Sequence, residues 1–354
     1  MIIKPTTDKS LPWVDYSSLT AVNTCIRWGL IHSIHGKQLP SGVDRVLPLE
    51  AGRAMHDVFA CCRFFDMLNV CADEKKAEEV NAYATKLFAS AAEPNRWNQA
   101  MTCFASAEDD ETRCMQMCLN LLETSGYHDD PRDSKRTQSN LESAAINYVQ
   151  RYPLGRFVPI HTADGIIGVE VPFDVTMYSD ANLPIIRFVG RVDGVCNDTL
   201  RPGKTIPEVH ENKTGSRIDT VWSNSFETSH QVTGYCVAMS CILNEPIRNC
   251  TMWGLQIPVP KSSMYSDGIM RYPVSRTDEQ LYEWQLWVLH TVRMINNYME
   301  DPVTAPMYTH SCNRYFRSCS LIPFCTESEA QRRHIFNNEM VTKRWSPLEE
   351  ILDP

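Results

Sequence analysis

The 354-residue chain contains no run of about 18 apolar residues, the minimum for a membrane-spanning helix, so no membrane association is expected. Its first residues, Met1-Ile2-Ile3-Lys4-Pro5, lack the apolar core of a secretory signal, and the expected compartment is the cytoplasm. Positive charge is not in excess: 34 Lys and Arg stand against 43 Asp and Glu, a net charge of −9. Phosphate affinity comes from Lys and Arg, so this balance argues against a protein that coats nucleic acid non-specifically, though a local basic groove fits within it. No Gly-x-x-x-x-Gly-Lys-Ser/Thr loop is present, which excludes a nucleotide-driven motor of that type. No Gly-x-Ser-x-Gly elbow marks a serine hydrolase. Internal repeats and low-complexity tracts are missing, as is the Cys-x₂-Cys rhythm of zinc fingers.

What is present begins with a hydrophobic fraction of 43%, enough for a sizeable core. Fourteen cysteines are many, and disulfides are not expected in a reducing compartment. Cys61, Cys62, Cys114, Cys118, Cys236 and Cys241 sit in helix-like apolar patterns and read as small buried side chains. Apolar spacing predicts helices over 14–36, with a cap at Ser17-Ser18, and over 48–70, 74–92, 110–125 and 138–151. Strands are expected over 165–173, 185–195, 205–213 and 251–258, and further helices over 229–243 and 281–298. Loops are expected at Leu39-Pro40-Ser41-Gly42 and at 129–133, with a frayed tail over 346–354. The order predicts an α/β fold with a small mixed central sheet flanked by helices and a helical N-terminal region.

Two short stretches carry chemistry: Gly190-Arg191-Val192-Asp193-Gly194 and Glu211-Asn212-Lys213. Strand side chains alternate, so Glu211 and Lys213 share a face. Two carboxylates and an ammonium at the ends of apolar strands form a place where a hard divalent metal neutralises repulsion. Alone, the pattern also fits a solvated strand end with a surface ion pair. Gln231 and Tyr235, four apart on the next expected helix, share a face and can reach toward a phosphate.

Taken together, Gly190 to Gly194, Glu211-Asn212-Lys213-Thr214-Gly215 and Gln231-x-x-x-Tyr235 resemble the successive motifs of the PD-(D/E)XK nuclease superfamily in its RecB-like branch. Gly52-Arg53-Ala54-Met55-His56 is similar to the upstream helix that gives that branch its histidine. The resemblance implies a restriction-endonuclease-like core in which His56, Asp193, Glu211 and the Asn212 carbonyl bind Mg²⁺ or Mn²⁺. Lys213 would be the catalytic lysine, with Gln231 and Tyr235 supporting DNA and the nucleophile. Glu170 stands where the branch often carries a further acid on the preceding strand.

Cys312, Cys319 and Cys325 fall within fourteen residues that include a proline and show no helical pattern. Thiolates so placed suit zinc or an iron–sulfur cluster. Iron–sulfur members of the branch, among them phage and CRISPR-associated nucleases, join one N-terminal cysteine to three C-terminal ones. Cys25 is similar in position, so the resemblance implies a 4Fe–4S cluster on Cys25, Cys312, Cys319 and Cys325, with zinc as the alternative. It further implies a single nuclease domain over 1–326: a helical part at about 14–151, a catalytic core at about 160–300 and the Cys-rich closing segment at 312–325, followed by an extension over 327–354. Segment 74–150 matches no motif and reads as a lid or DNA-guiding insertion.

The expected activity is Mg²⁺- or Mn²⁺-dependent DNA hydrolysis, as an exonuclease on single-stranded or end-exposed DNA in recombination, repair or replication, with a helicase or recombination protein as partner. Lys204, Arg217, Trp222, Lys261, Arg314, Tyr315, Phe316 and Arg317 are candidate strand-holding residues. The alternatives are a non-enzymatic, zinc- or cluster-stabilised nucleic-acid-binding or assembly protein, and a partner-dependent CRISPR spacer-processing nuclease.

Overall fold

The computed structural model describes residues 2–40, 47–90, 93–105, 109–179, 181–201, 206–259, 267–314 and 317–343. Ser41, Gly42, Lys204, Thr205, Lys261, Tyr315, Phe316 and the tail over 346–354, all noted above, lie outside the described residues.

The chain opens with β1 (Ile2–Pro5), β2 (Trp13–Val14), α1 (Tyr16–Thr24) and α2 (Ile26–Trp28), which runs into a π-helical turn at Gly29–Ile34 and then β3 (Lys37–Gln38). Five helices follow: α3 (Leu47–Val70), α4 (Glu74–Phe88), α5 (Arg96–Phe104), α6 (Asp110–Glu123) and α7 (Gln138–Arg151). Next come β4 (Phe157–Pro159), β5 (Val169–Tyr178), β6 (Pro184–Asp198) and β7 (Glu208–Gly215), then α8 (Thr220–Asn224) and α9 (His230–Leu243). The chain continues through β8 (Asn249–Gln256), β9 (Ile269–Ser275) and α10 (Asp278–Tyr298). It closes with β10 (Asn313–Arg314), β11 (Arg317–Ser318), α11 (Ile322–Cys325), α12 (Glu329–His334) and β12 (Val341–Thr342).

The expected helix over 14–36 is broken, because Cys25 adopts extended backbone between α1 and α2. Its cap is Asp15 rather than the Ser17-Ser18 pair: the Asp15 carboxylate accepts from the Ser18 N–H at 2.9 Å. Strand β5 starts at Val169 rather than 165, since Gly165 lies in a positive-φ turn before it. The edge strand β9 contains Pro273, which argues against a strand in sequence.

The main sheet runs β1-β5-β6-β7-β8-β9, with β2 and β4 also on β6. Strands β5, β6 and β7 are antiparallel, and β8 and β9 are antiparallel. Strands β7 and β8 are parallel, which requires a long crossover; α8 and α9 lie in it. The sheet is therefore mixed and flanked by helices. On β8, Cys250 and Met252 join the apolar cluster of α1, α9 and α10, whereas Trp253 and Leu255 join that of α3 to α7. A strand buried on both faces reads as one apolar run, and that is why β8 is visible in the sequence. Cys241, expected to be buried, is only half-buried at the end of α9. A third cluster gathers Ile31, Val303, Leu321, Phe324, Ile335 and Met340, and β12 pairs with β3.

Candidate active site

The register of the sheet builds the site. Strands β5 and β6 set Val169 opposite Gly194 and Val171 opposite Val192, so Glu170 falls across from Asp193. The β6–β7 ladder ends with Gly194 opposite His210, and one further step sets Asp193 across from Glu211. Three carboxylates thus form a row over three adjacent strands, all buried. Like charges directly opposite one another destabilise a sheet, so this row needs cations. Where the ladder stops, Asp193 takes over its role: Oδ2 accepts the Asn212 backbone N–H at 2.7 Å and Asn212 Nδ2 at 3.2 Å. A strand residue's N–H and C=O point to the same side, so the Asn212 carbonyl also faces β6. Glu170 has φ of 48°, in the left-handed region, a conformation that costs about 1–3 kcal/mol in a residue with a side chain. The Tyr83 hydroxyl donates to its carbonyl at 3.0 Å and holds it there.

Helix α3 packs across β5, β6 and β7 and delivers His56. Its Nδ1 lies 3.5 Å from Glu170 Oε1 and 3.5 Å from Asp193 Oδ1. His56, Glu170 and Asp193 are one of two groups, among the described residues, whose ligand atoms all lie within 4.8 Å of one another. Glu211 lies outside that group. Lys213 Nζ donates to its Oε1, and its Oε2 is buried with no hydrogen-bond partner. Glu170 Oε1 likewise accepts no hydrogen bond of good geometry, the His56 imidazole facing it at 3.5 Å, while its Oε2 is 3.0 Å from Arg191 Nε.

The electrostatics follow. Burial opposes charge on His56, yet Asp193, Glu170 and Glu211 raise its pKa to about 9. Burial and Asp193 push Glu211 up to about 7, against the pull of Lys213. Burial also works against Asp193, but His56, Lys213, Arg63 and the Asn212 N–H hold it below the usual carboxylate range. Lys213 resists its own burial because Glu211 and Asp193 raise its pKa. Imidazolium and ammonium are thus the counter-charges the chain itself supplies. Carboxylate oxygens with one imidazole, two of the oxygens buried without a hydrogen bond, fit a hard divalent cation such as Mg²⁺ or Mn²⁺.

Glycines flank Asp193 for steric reasons. A Cβ on Gly190 would lie 2.4 Å from the Phe173 ring, and one on Gly194 would lie 2.5 Å from Arg63 Nε. From α9, Gln231 Nε2 donates to the Tyr235 hydroxyl at 2.9 Å. Burial first, then Glu211 and Asp193, raise the Tyr235 pKa well above its ordinary value, so its hydroxyl lies within the field of the row. A cleft of about 470 Å³ is lined by His56 and Glu170 together with Arg53, Arg96, Tyr127 and Arg191. Trp222 packs edge-on to Phe226 and Arg217 pairs with Asp219, local contacts that explain both residues without nucleic acid. The backbones of Arg314 and Arg317 stand opposite one another in the β10–β11 hairpin.

The structure draws Cys25 toward the three C-terminal cysteines. Ser311 Oγ donates to the Thr24 carbonyl at 2.7 Å, the Tyr308 N–H points at Cys25 Sγ at 3.5 Å, and the Cys319 N–H donates to the Cys312 carbonyl at 2.7 Å. Burial pushes the Cys319 thiol up, and Cys325, Cys25 and Cys312 add to the rise. These four thiols are not among the groups closed to within 4.8 Å. The second such group is Cys62, Cys114 and Cys118. These three, read from sequence as plain apolar filler, are close enough to hold a metal. Arg63, fully buried beside them, also escaped notice; its signal was a lone guanidinium inside the run Ala60-Cys61-Cys62-Arg63-Phe64-Phe65.

No protein-family model matches the chain, and no curated protein matches it significantly.

Proposed function

We propose that the chain is a metal-dependent deoxyribonuclease with a restriction-endonuclease-like core, acting on single-stranded or end-exposed DNA in recombination, repair or replication. The observation that carries this reading is the row Glu170, Asp193 and Glu211, with His56 above it and Lys213 beside it. Glu170, Asp193, Glu211, His56 and the Asn212 carbonyl hold Mg²⁺ or Mn²⁺. Such an ion, when bound, supplies Lewis acidity to a phosphoryl oxygen and lowers the pKa of water. Lys213 orients the attacking water and meets charge that grows on the phosphoryl group. Tyr235, tethered by Gln231, positions the phosphodiester from the α9 side. Arg53 and Arg191 border the cleft among the acids Glu50, Asp57, Glu93 and Glu170 and are the guanidinium groups there that a phosphate would meet. The cysteines Cys25, Cys312, Cys319 and Cys325 hold a 4Fe–4S cluster that staples the ends of the domain; zinc is the alternative ligand for the same thiols.

End-labelled single-stranded and duplex DNA, incubated with the full chain and Mn²⁺ or EDTA, tests the reading. Metal-dependent shortening of the labelled strand is expected. Absence of cleavage on both substrates with either Mg²⁺ or Mn²⁺ would sink it and favour the non-enzymatic alternative. Visible absorbance that bleaches on reduction, lost in Cys319→Ser, identifies the cluster; a colourless protein with stoichiometric zinc identifies the alternative.

A further inference from the structure

The buried thiols of α3 and α6 form a compact group of their own. Cys114 and Cys118 stand four residues apart on α6 and so share a face, and that face meets Cys62 on α3. The Cys62 and Cys118 sulfurs are 3.7 Å apart, and those of Cys62 and Cys114 are 3.8 Å apart. Tetrahedral zinc with Zn–S bonds of about 2.3 Å holds its sulfurs about 3.8 Å apart. All three residues are fully buried. Cys61, the next thiol along α3, is also fully buried and is the remaining sulfur donor beside the triangle.

A second observation concerns Arg63. Its side chain is wholly buried, and none of its three guanidinium nitrogens reaches a hydrogen-bond partner of good geometry. An unpaired buried cation costs several kcal/mol. Its charge acts on Asp193 of the carboxylate row and also reaches the Cys62 thiol. Four thiolates around Zn²⁺ carry a net −2, of which the nearby Arg63 charge offsets a part.

We propose that Cys62, Cys114 and Cys118 form a structural zinc site, with Cys61 at the fourth position, that locks α3 to α6 behind the active site. Zinc replaces the thiol protons, which leave to solvent, and no oxidant is needed. The site is independent of the four-cysteine set near the chain ends and of the nuclease reading. It fixes α3 six residues from His56, so it sets how firmly that imidazole is held over the carboxylate row.

The full chain, purified with zinc present and crystallised, is measured on both sides of the zinc absorption edge. An anomalous peak inside the Cys62–Cys114–Cys118 triangle is expected. Metal analysis of Cys118→Ser, with the other four cysteines intact, is expected to show one zinc equivalent fewer per chain than wild type. Should that variant fail to fold, the wild-type map still decides. A zinc-replete crystal with no peak in the triangle, a Cys62–Cys118 disulfide there, or unchanged zinc content in folded Cys118→Ser would each overturn the proposal.

Discussion

Lys213 and Glu211 separate chemistry from architecture at the level of single side chains. Glu211→Gln keeps the shape of its side chain, and Lys213→Ala removes only a part-buried ammonium. Each is expected to reduce DNA cleavage by ~10²-fold or more, with unchanged circular dichroism. Wild-type turnover by metal-replete Lys213→Ala would remove that residue from the mechanism. Asp66 gives a pH-dependent case. Its carboxyl is almost fully buried and accepts the Gly155 N–H at 2.8 Å; burial raises its pKa to about 7, from an ordinary value of 3.8. Between those two values the folded chain keeps a proton that the unfolded chain has lost, so stability falls as pH rises through that window. Asp66→Asn is expected to flatten this dependence, as read by urea denaturation from pH 4 to 8; an unchanged slope would show that other groups set it. At this scale the sequence revealed much of the site. Asp193, Glu211 and Lys213 were visible because short charged motifs interrupt apolar strands. The weight carried by Glu170 was not, because it depends on strand register, which leaves no mark on neighbouring residues.

Helices and strands show where pattern succeeds and where it fails. Helices α4, α6, α7 and α10 were readable because apolar periodicity runs along them, α3 and α9 because they are long apolar runs buried on most sides, and β6 because it is a long apolar strand. Strands β2 and β4, two and three residues long, hold only by pairing with β6, and no local pattern can announce a contact made across the chain. The fork between β6 and β7 is the element-level feature on which the site depends. Gly194→Ala would press a methyl group against Arg63, and an overpacked core costs ~1–3 kcal/mol. Loss of stability in denaturant melts, together with slower cleavage, is expected; neutral stability would mean that Arg63 moves aside freely. Helices α4 to α6 wall the cleft beside His56. Ala89→Trp, at an exposed position on its rim, is expected to raise the apparent KM for DNA several-fold with little effect on melting temperature.

Across the whole molecule, segment 31–38 meets segment 335–342 from the far side of the sequence. Residues 327–343 were expected to be a mere extension, yet Ile335 and Met340 enter the third apolar cluster and β12 pairs with β3. Removing everything after residue 326 strips two buried apolar side chains, a loss on the order of 3 kcal/mol, and is expected to lower the denaturation midpoint. An unchanged midpoint would restore the picture of a dispensable tail. The backbone at Glu170 has one last implication. Glycine tolerates its φ without strain, at the expense of the ion pairs Glu170 makes with Arg191 and His56. On the nuclease reading, any heat-tolerance selection that retained Glu170→Gly would harvest hardier proteins that have forgotten their task.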